Sequence, residues 1–147
     1  MGHSYINVFV HIVFSTKERR KIIPTDKQEE LWKYMTGIAR KLGVNTIAIG
    51  GMPDHIHMLV AESGVLPISS LLQKVKGSSS KWLGAQLRGF AWQEGFGAFG
   101  VSASHRDKVI AYIQNQPEHH KKRSFEEEFL TLLKAVGVDY DPRYVLG

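Results

Sequence analysis

The sequence predicts an α+β, ferredoxin-like (RRM-like) fold, a βαββαβ antiparallel sheet with helices packed on one face and additional C-terminal helices. Three observations predict it. A run of β-branched and aromatic residues opens the chain, two short β-type runs flank a cluster of turn formers near its middle, and amphipathic segments of 3.6-residue period fall between and after the strands.

The first strand is read at Tyr5 to Ser15, where Ile6, Val8, Val10, Ile12 and Phe14 share one side and the other side is also apolar, as in a central strand covered on both faces. Thr25 and Gln28 form a capping-box pair opening a helix striped by Leu31, Met35, Ile38, Ala39 and Leu42, with Gly43 placed to stop it. Val44 to Ile49 and His55 to Glu62 are expected to pair as a hairpin across Gly50, Gly51, Met52, Pro53 and Asp54. Pro67 opens a second helix carrying Ile68, Leu71, Leu72 and Val75, with Trp82 and Leu83 beyond a bend or break expected at Gly77 to Ser80. Ala91 to Ser102, which alternates aromatic residues with glycines, reads as an irregular strand. Ser104 and Asp107 offer a capping pair for a helix through Val109, Ile110 and Ile113. A last helix runs from Ser124 to Val136, capped by Ser124 with Glu127 and striped by Phe125, Phe129, Leu132, Leu133 and Val136. No linker or internal repeat divides the chain, so residues 1–147 are expected to form a single domain.

Composition narrows the function classes. With 43% hydrophobic and 22% charged residues, disorder is not expected, and the formal net charge of +5 falls in clusters suited to phosphate contact. Lys17, Arg19, Arg20 and Lys21 form one cluster, Lys74, Lys76 and Lys81 a second, and Lys121, Lys122 and Arg123 a third. The absence of cysteine excludes disulfides, thiolate metal sites and a cysteine nucleophile, leaving His, carboxylate or amide ligands for any metal. No apolar run approaches the roughly 20 residues of a membrane span, and the apolar start lacks signal-peptide features, so a cytoplasmic protein with no membrane partner is expected.

His55 and His57 flank Ile56 in an expected strand, so their imidazoles point to the same face, expected to be the open face of the sheet, and can hold one divalent cation there. A bare His-x-His is equally the pattern of two half-exposed histidines. Tyr112 and Gln116, four apart on an expected helix, lie on one helical face. Tyrosine, with a reference pKa of about 10, needs a nearby metal or base to become a nucleophile, and Tyr112 also suits a core boundary with its hydroxyl wet.

Read together, these pieces resemble the single-tyrosine HUH transposases of small bacterial insertion sequences (IS200-like). The likeness lies in PDHIHMLV at Pro53 to Val60 and YIQNQPEHH at Tyr112 to His120, with further similarity in HIVFSTK from His11 and WQEGFGAFGVS from Trp92. The resemblance implies that His55 and His57 are metal ligands, Tyr112 the nucleophile and Gln116 the third protein ligand. It implies a divalent metal, Mg2+ or Mn2+, and no small-molecule cofactor. It also implies single-stranded DNA with hairpins as substrate, and a homodimer in which the tyrosine helix of one subunit completes the histidine site of the other. The chemistry implied is cleavage and rejoining of single-stranded DNA at element ends through a 5′-phosphotyrosine.

Pro117 is expected to kink or stop the helix beside Gln116. His119 and His120 are candidates to reach the metal or a phosphate, against a solvated pair in a basic loop, and Glu118 is a further candidate. For DNA, Lys17, Arg19, Arg20, Lys74, Lys76 and Lys81 are expected phosphate partners, with Trp82, Trp92 or Phe96 available to stack on bases. Three other readings compete, one of them a chromosomal relative that keeps the chemistry but has lost mobility. A non-catalytic single-strand binding module would present aromatics outward on the central strands, and a metal phosphoesterase would need the histidines but not Tyr112.

Overall fold

The computed structural model describes residues 6–62, 66–141, 143 and 145. Its elements are β1 (Phe9–Ser15), α1 (Gln28–Lys41), β2 (Asn45–Met52), β3 (His55–Ala61), α2 (Ile68–Gly84), β4 (Gly97–Val101), α3 (Arg106–Gln114), α4 (Gln116–His119) and α5 (Phe125–Ala135). The four strands form one antiparallel sheet in the order β2-β3-β1-β4, the ferredoxin-like arrangement expected.

Side-chain alternation gives the sheet two different faces. Ile12, Phe14, Ile56, Met58 and Val60 project to one side and are sealed by Leu31, Met35 and Ala39 of α1 and Leu71, Leu72, Val75 and Leu83 of α2. The other side is covered as well. Val13 and Phe99 meet Phe125, Phe129 and Leu133 of α5, while Phe9 and Leu59 meet Ile113 of α3. The helices expected on one face are α1 and α2; the additional C-terminal helices take the opposite one.

Several local expectations are corrected. The first strand begins at Phe9, because Phe9 is the last residue with partners on both sides, Ala61 and Val101; Ile6 and Val8 are 49% exposed, and Tyr5 lies outside the described residues. Neither expected capping pair forms at Thr25 or Ser104. Thr25–Lys27 and Ala103–His105 are themselves 3₁₀ turns, so these residues already have helical backbone rather than the extended N-cap geometry. The hairpin is tighter than expected: Gly50, Gly51 and Met52 remain in β2 opposite His57, Ile56 and His55, leaving Pro53 and Asp54 as the turn. Only Gly97–Val101 of the glycine-rich stretch is strand. Upstream of it the chain leaves the ladder so that the Gln93 carboxamide oxygen, rather than a backbone carbonyl, accepts from the Ser15 N–H at 2.6 Å.

The bend expected at Gly77 to Ser80 is absent, and α2 runs unbroken. Val75, Ser79 and Leu83 lie buried along one stripe, and the Ser79 hydroxyl donates back to the Val75 carbonyl at 2.6 Å while accepting from Trp92 Nε1 at 3.0 Å. Burial of that stripe outweighs the roughly 1 kcal/mol that a glycine costs a helix. Two expectations about the C-terminal half hold. The helix stops at Gln114 and restarts as α4 with Pro117 in its first turn, and Ser124 caps α5 by accepting from the Glu127 N–H at 3.2 Å.

Candidate metal and nucleophile site

Two close approaches bring the C-terminal helices onto the sheet. A Cβ at Gly50 would stand 2.6 Å from the backbone oxygen of Ile113, so only glycine lets α3 settle across β2. A Cβ at Gly97 would stand 2.8 Å from the Phe129 ring, so β4 is equally bare where α5 crosses it. These contacts set α3, α4 and α5 directly over the histidine side of β3.

His55 and His57 share that side, and neither is exposed. The open sheet face anticipated for them is therefore a covered one, because α3–α5 close over it. His55 Nδ1 donates to Asp54 Oδ1 at 2.7 Å, since a carboxylate there only accepts. This fixes the ring with Nε2 facing inward. His57 Nδ1 lies 2.8 Å from His11 Nε2, which turns its Nε2 toward the same interior point. Such anchoring of one ring nitrogen is what orients histidines toward a metal.

The structure gathers Gln116 and Tyr112 around the pair. Gln116 is fully buried; its amide nitrogen donates to the Tyr112 carbonyl at 3.2 Å, and its Oε1 lies 3.0 Å from His55 Nε2. Tyr112 stands edge-on to His57 with ring centroids 5.7 Å apart, and its hydroxyl donates to Glu128 and lies 3.2 Å from His119 Nε2. Burial, reinforced by the Glu128 carboxylate, pushes the phenol above its ordinary pKa of about 10, so Tyr112 is protonated here. The helix carrying Tyr112 packs on its own chain's sheet, and the tyrosine faces its own chain's histidines.

Glu128 is the residue that sequence reading missed. It is 1% exposed and its carboxylate lies 2.8 Å from His57 Nε2, 3.4 Å from His55 Nε2, and 3.2 Å from both His119 Nε2 and His120 Nε2. Burial alone would raise its pKa, but hydrogen bonds from His120, His57 and Tyr112 together with the His57 charge hold it well below the usual carboxylate range. The available signal was positional: Glu128 falls between Phe125 and Leu132 on the apolar stripe of α5, where a charge is out of place. His11, a lone imidazole within an apolar strand, carried a similar signal.

His120 enters the cluster, with Nδ1 donating to the Arg123 carbonyl at 2.7 Å and Nε2 2.9 Å from Gln116 Oε1. His55, His57, His120 and Glu128 each offer one ligand atom, all within 4.8 Å of one another, which suits a divalent cation of N/O preference. Glu118 instead pairs with Lys121 on the surface.

The basic residues divide between the two sides of the sheet. Arg19 contacts Glu126 at 2.8 Å and, with Lys21, Asp54, His120 and Arg123, lines a cleft of about 310 Å³ that opens beside the cluster. A second cleft, of about 560 Å³, opens on the Tyr112 and His119 side and carries Lys108, Lys122 and Arg123. Arg20 pairs with Glu18, and Lys17 lines a separate cleft near Trp92. Lys74, Lys76 and Lys81 lie on α2, on the side of the sheet away from the histidines. Lys76 there donates to the carbonyls of Gln93 and Gly95 at 2.9 and 2.6 Å. Of the candidate stacking rings, Trp92 packs against Phe14 and Phe90, Trp82 stacks on Tyr34, and Phe96 is 38% exposed.

Comparisons with known proteins place this geometry in a context. A family model described as "Transposase IS200 like" matches residues 4–116. The chain is 24% identical over 124 residues to the ISDra2 transposase TnpA of Deinococcus radiodurans, covering 78% of this chain and 89% of that protein. It is 28% identical over 130 residues to the transposase for insertion sequence element IS200 of Salmonella typhimurium, covering 82% and 84%. Among solved structures, a candidate transposase from Deinococcus radiodurans R1 superposes with a TM-score of 0.62 at 23% identity, covering 79% of this chain and 96% of that one. A REP-associated tyrosine transposase bound to a REP hairpin gives a TM-score of 0.63 at 20% identity, covering 82% and 73%.

Proposed function

The chain belongs to the IS200-like transposase family, and from that premise we propose that it cleaves and rejoins single-stranded DNA at hairpin-bearing element ends through a covalent bond to Tyr112. The observation that carries the reading is the convergence of the Tyr112 hydroxyl with the inward nitrogens of His55 and His57 on one point, the Glu128 carboxylate. A nucleophile and a metal-ligating pair within one hydrogen-bonded cluster are what phosphoryl transfer to tyrosine requires.

His55, His57 and Gln116 are the residues expected to hold a divalent ion, Mg2+ or Mn2+, and their donor set fits one: two oriented imidazole nitrogens and an amide oxygen. Such an ion, when bound, polarises the scissile phosphate and stabilises charge as it develops. Tyr112 Oη attacks phosphorus, forming the tyrosyl Oη–P bond as the bond to the 3′ oxygen breaks. The phenolic proton faces two acceptors, Glu128 and His119 Nε2. The departing 3′ oxygen takes up a proton and leaves as a hydroxyl. Because the phosphodiester energy is kept in the tyrosyl ester, another 3′-hydroxyl reverses the step and joins the strands without ATP.

Arg19, Lys21, Arg123 and Lys122 line the clefts on either side of the cluster and are placed to hold phosphates along a strand passing it, with Lys17 and Arg20 next to them in sequence. Lys74, Lys76 and Lys81 would serve DNA running over the far side. A hairpin partner is supported by the fold-level likeness to a relative whose structure holds a REP hairpin. We read residues 1–147 as one domain. The homodimer enters the proposal as an assembly of two such chains, each with its own tyrosine at its own histidines. The binding-module alternative loses its footing, because both faces of the central strands are covered by helices and offer no open aromatic platform among the described residues. No helix among the described residues is long and apolar enough to cross a membrane.

The test is to incubate the protein with Mn2+ and single-stranded oligonucleotides copied from the DNA flanking its gene, and to look for a protein–DNA adduct on a denaturing gel. The expected adduct disappears with Tyr112→Phe and with a chelator. Cleavage that survives Tyr112→Phe would point to a phosphoesterase, and binding without an adduct to a binding module.

A further inference from the structure

We infer that His120 and Glu128, which lie beyond the region matched by the family model, complete the metal centre with His55, His57 and Gln116, adding a third imidazole and a carboxylate that make the site selective for a transition metal over magnesium. The inference rests on the proposed histidine-pair metal site and extends its ligand set.

The hydrogen-bond roles carry the inference. Asp54 Oδ1 and the Arg123 carbonyl oxygen only accept, so the Nδ1 atoms of His55 and His120 carry the protons and their Nε2 atoms present lone pairs. Gln116 spends its amide N–H on the Tyr112 carbonyl, so its oxygen is the atom turned inward. That oxygen lies 3.0 Å from His55 Nε2 and 2.9 Å from His120 Nε2, and the Glu128 oxygens lie 3.4 and 3.2 Å from the same two nitrogens. Four acceptors therefore face one another in a buried volume. One divalent ion set among them satisfies these lone pairs and the buried carboxylate together.

The spacings around Glu128 suit that occupant. Ligand bonds of about 2.0–2.2 Å place neighbouring donor atoms roughly 3.0–3.5 Å apart. The contacts of Glu128 with His57, His55 and His120, at 2.8, 3.4 and 3.2 Å, lie close to that range. Each of the three rings is also anchored through Nδ1, by Asp54, His11 and the Arg123 carbonyl, the support that ligating histidines receive. Three imidazoles with one carboxylate suit Mn2+ or Zn2+; Mg2+ prefers oxygen ligands and retains its waters.

The test is calorimetric titration of the metal-stripped full chain with Mn2+ and, separately, Mg2+, comparing wild type with Glu128→Gln, His120→Gln and His57→Ala, each checked for folding by circular dichroism. Expected is Mn2+ binding at least tenfold tighter than Mg2+, weakened at least tenfold by Glu128→Gln and by His120→Gln. A second measurement needs no variant: on adding Zn2+ to wild type, the Nε2 resonances of His55, His57 and His120 should all move to metal-bound values in 15N spectra. Wild-type affinity in Glu128→Gln and His120→Gln, with binding lost in His57→Ala, or a His120 resonance that does not move, would overturn the inference and leave the histidine-pair reading standing. No metal binding by wild type would overturn both.

Discussion

His11 Nε2 lies 2.8 Å from His57 Nδ1, with the two rings stacked at 28° and their centroids 5.0 Å apart. His11 reaches this position because β1 pairs antiparallel with β3 so that Val13 stands opposite His57, which sets His11 two residues along on the same face. It holds the ring of a proposed ligand and also stands edge-on to Tyr112, with ring centroids 6.2 Å apart. Replacing it with leucine should leave the sheet folded but lower Mn2+ affinity by about 10–100-fold, the usual cost of losing such a support. Calorimetry on His11→Leu checks this; unchanged affinity would mean His57 is held by packing alone.

Glycines at Gly50 and Gly77 should respond oppositely to the same substitution. At Gly50 a methyl group meets the Ile113 backbone oxygen at 2.6 Å, and backbone cannot swing aside, so Gly50→Ala should destabilise by about 1–3 kcal/mol and displace α3 with Tyr112. At Gly77 nothing lies within 4 Å, so Gly77→Ala should stabilise by about 0.5–1 kcal/mol through helix propensity. Urea melts measure both, and the Gly50 variant should also lose adduct formation.

Those two glycines show what the sequence could and could not convey. Period-two alternation was enough to find β1 and β3 and to put His55 and His57 on one face, and a four-residue spacing was enough to join Tyr112 to Gln116. Whether a glycine breaks an element or admits a neighbour depends on contacts far away in the chain: Gly77 is absorbed by the buried stripe of α2, and Gly50 is kept in β2 by α3. Glu128 was hidden for the same reason. Beside Glu126 and Glu127 it is marked out only by its place on the apolar stripe, and what that place faces is decided by the packing of α5 over β3. The cover over the histidines also depends on helices whose amphipathic faces were visible but whose target was not.

The metal-free protein should lose stability in mild acid. Burial, with repulsion from His57, holds His11 down to about 3, and burial holds His57 down to about 4 against the opposing pull of Glu128. The unfolded histidines titrate near about 6.5, so between these values the unfolded chain binds more protons and stability rises with pH. The contribution is therefore complete above about 6.5 and is lost as pH falls toward 4, and the depressed carboxyl of Glu128 adds to the loss below its unfolded value of about 4.5. His120, raised by Glu128 although burial lowers it, works in the opposite sense and softens the slope. Thermal melts in a chelator from pH 7.5 to 4.5 should show a falling Tm; a flat profile would contradict a neutral buried His11–His57 pair.

Whether Tyr112 acts on its own chain or on a neighbour can be decided by mixing inactive variants. In the structure Tyr112, His57 and Glu128 belong to one chain and are already in contact, and Gly50 lets α3 lie flat on its own sheet, so nothing further is needed to bring nucleophile and ligands together. Tyr112→Phe removes only the nucleophile, and His57→Ala removes only the metal side. If each chain is self-sufficient, an equimolar mixture of the two should form no adduct, because no chain carries both parts. If the tyrosine helix instead crosses to a partner, a mixed dimer unites an intact Tyr112 with an intact His57, and statistical pairing should restore up to about a quarter of wild-type adduct, one composite site in half of the dimers. The cis geometry predicts the first result at every mixing ratio, including after joint unfolding and refolding to randomise the chains. Recovery of adduct after such mixing would require α3 to leave the sheet on which it lies here.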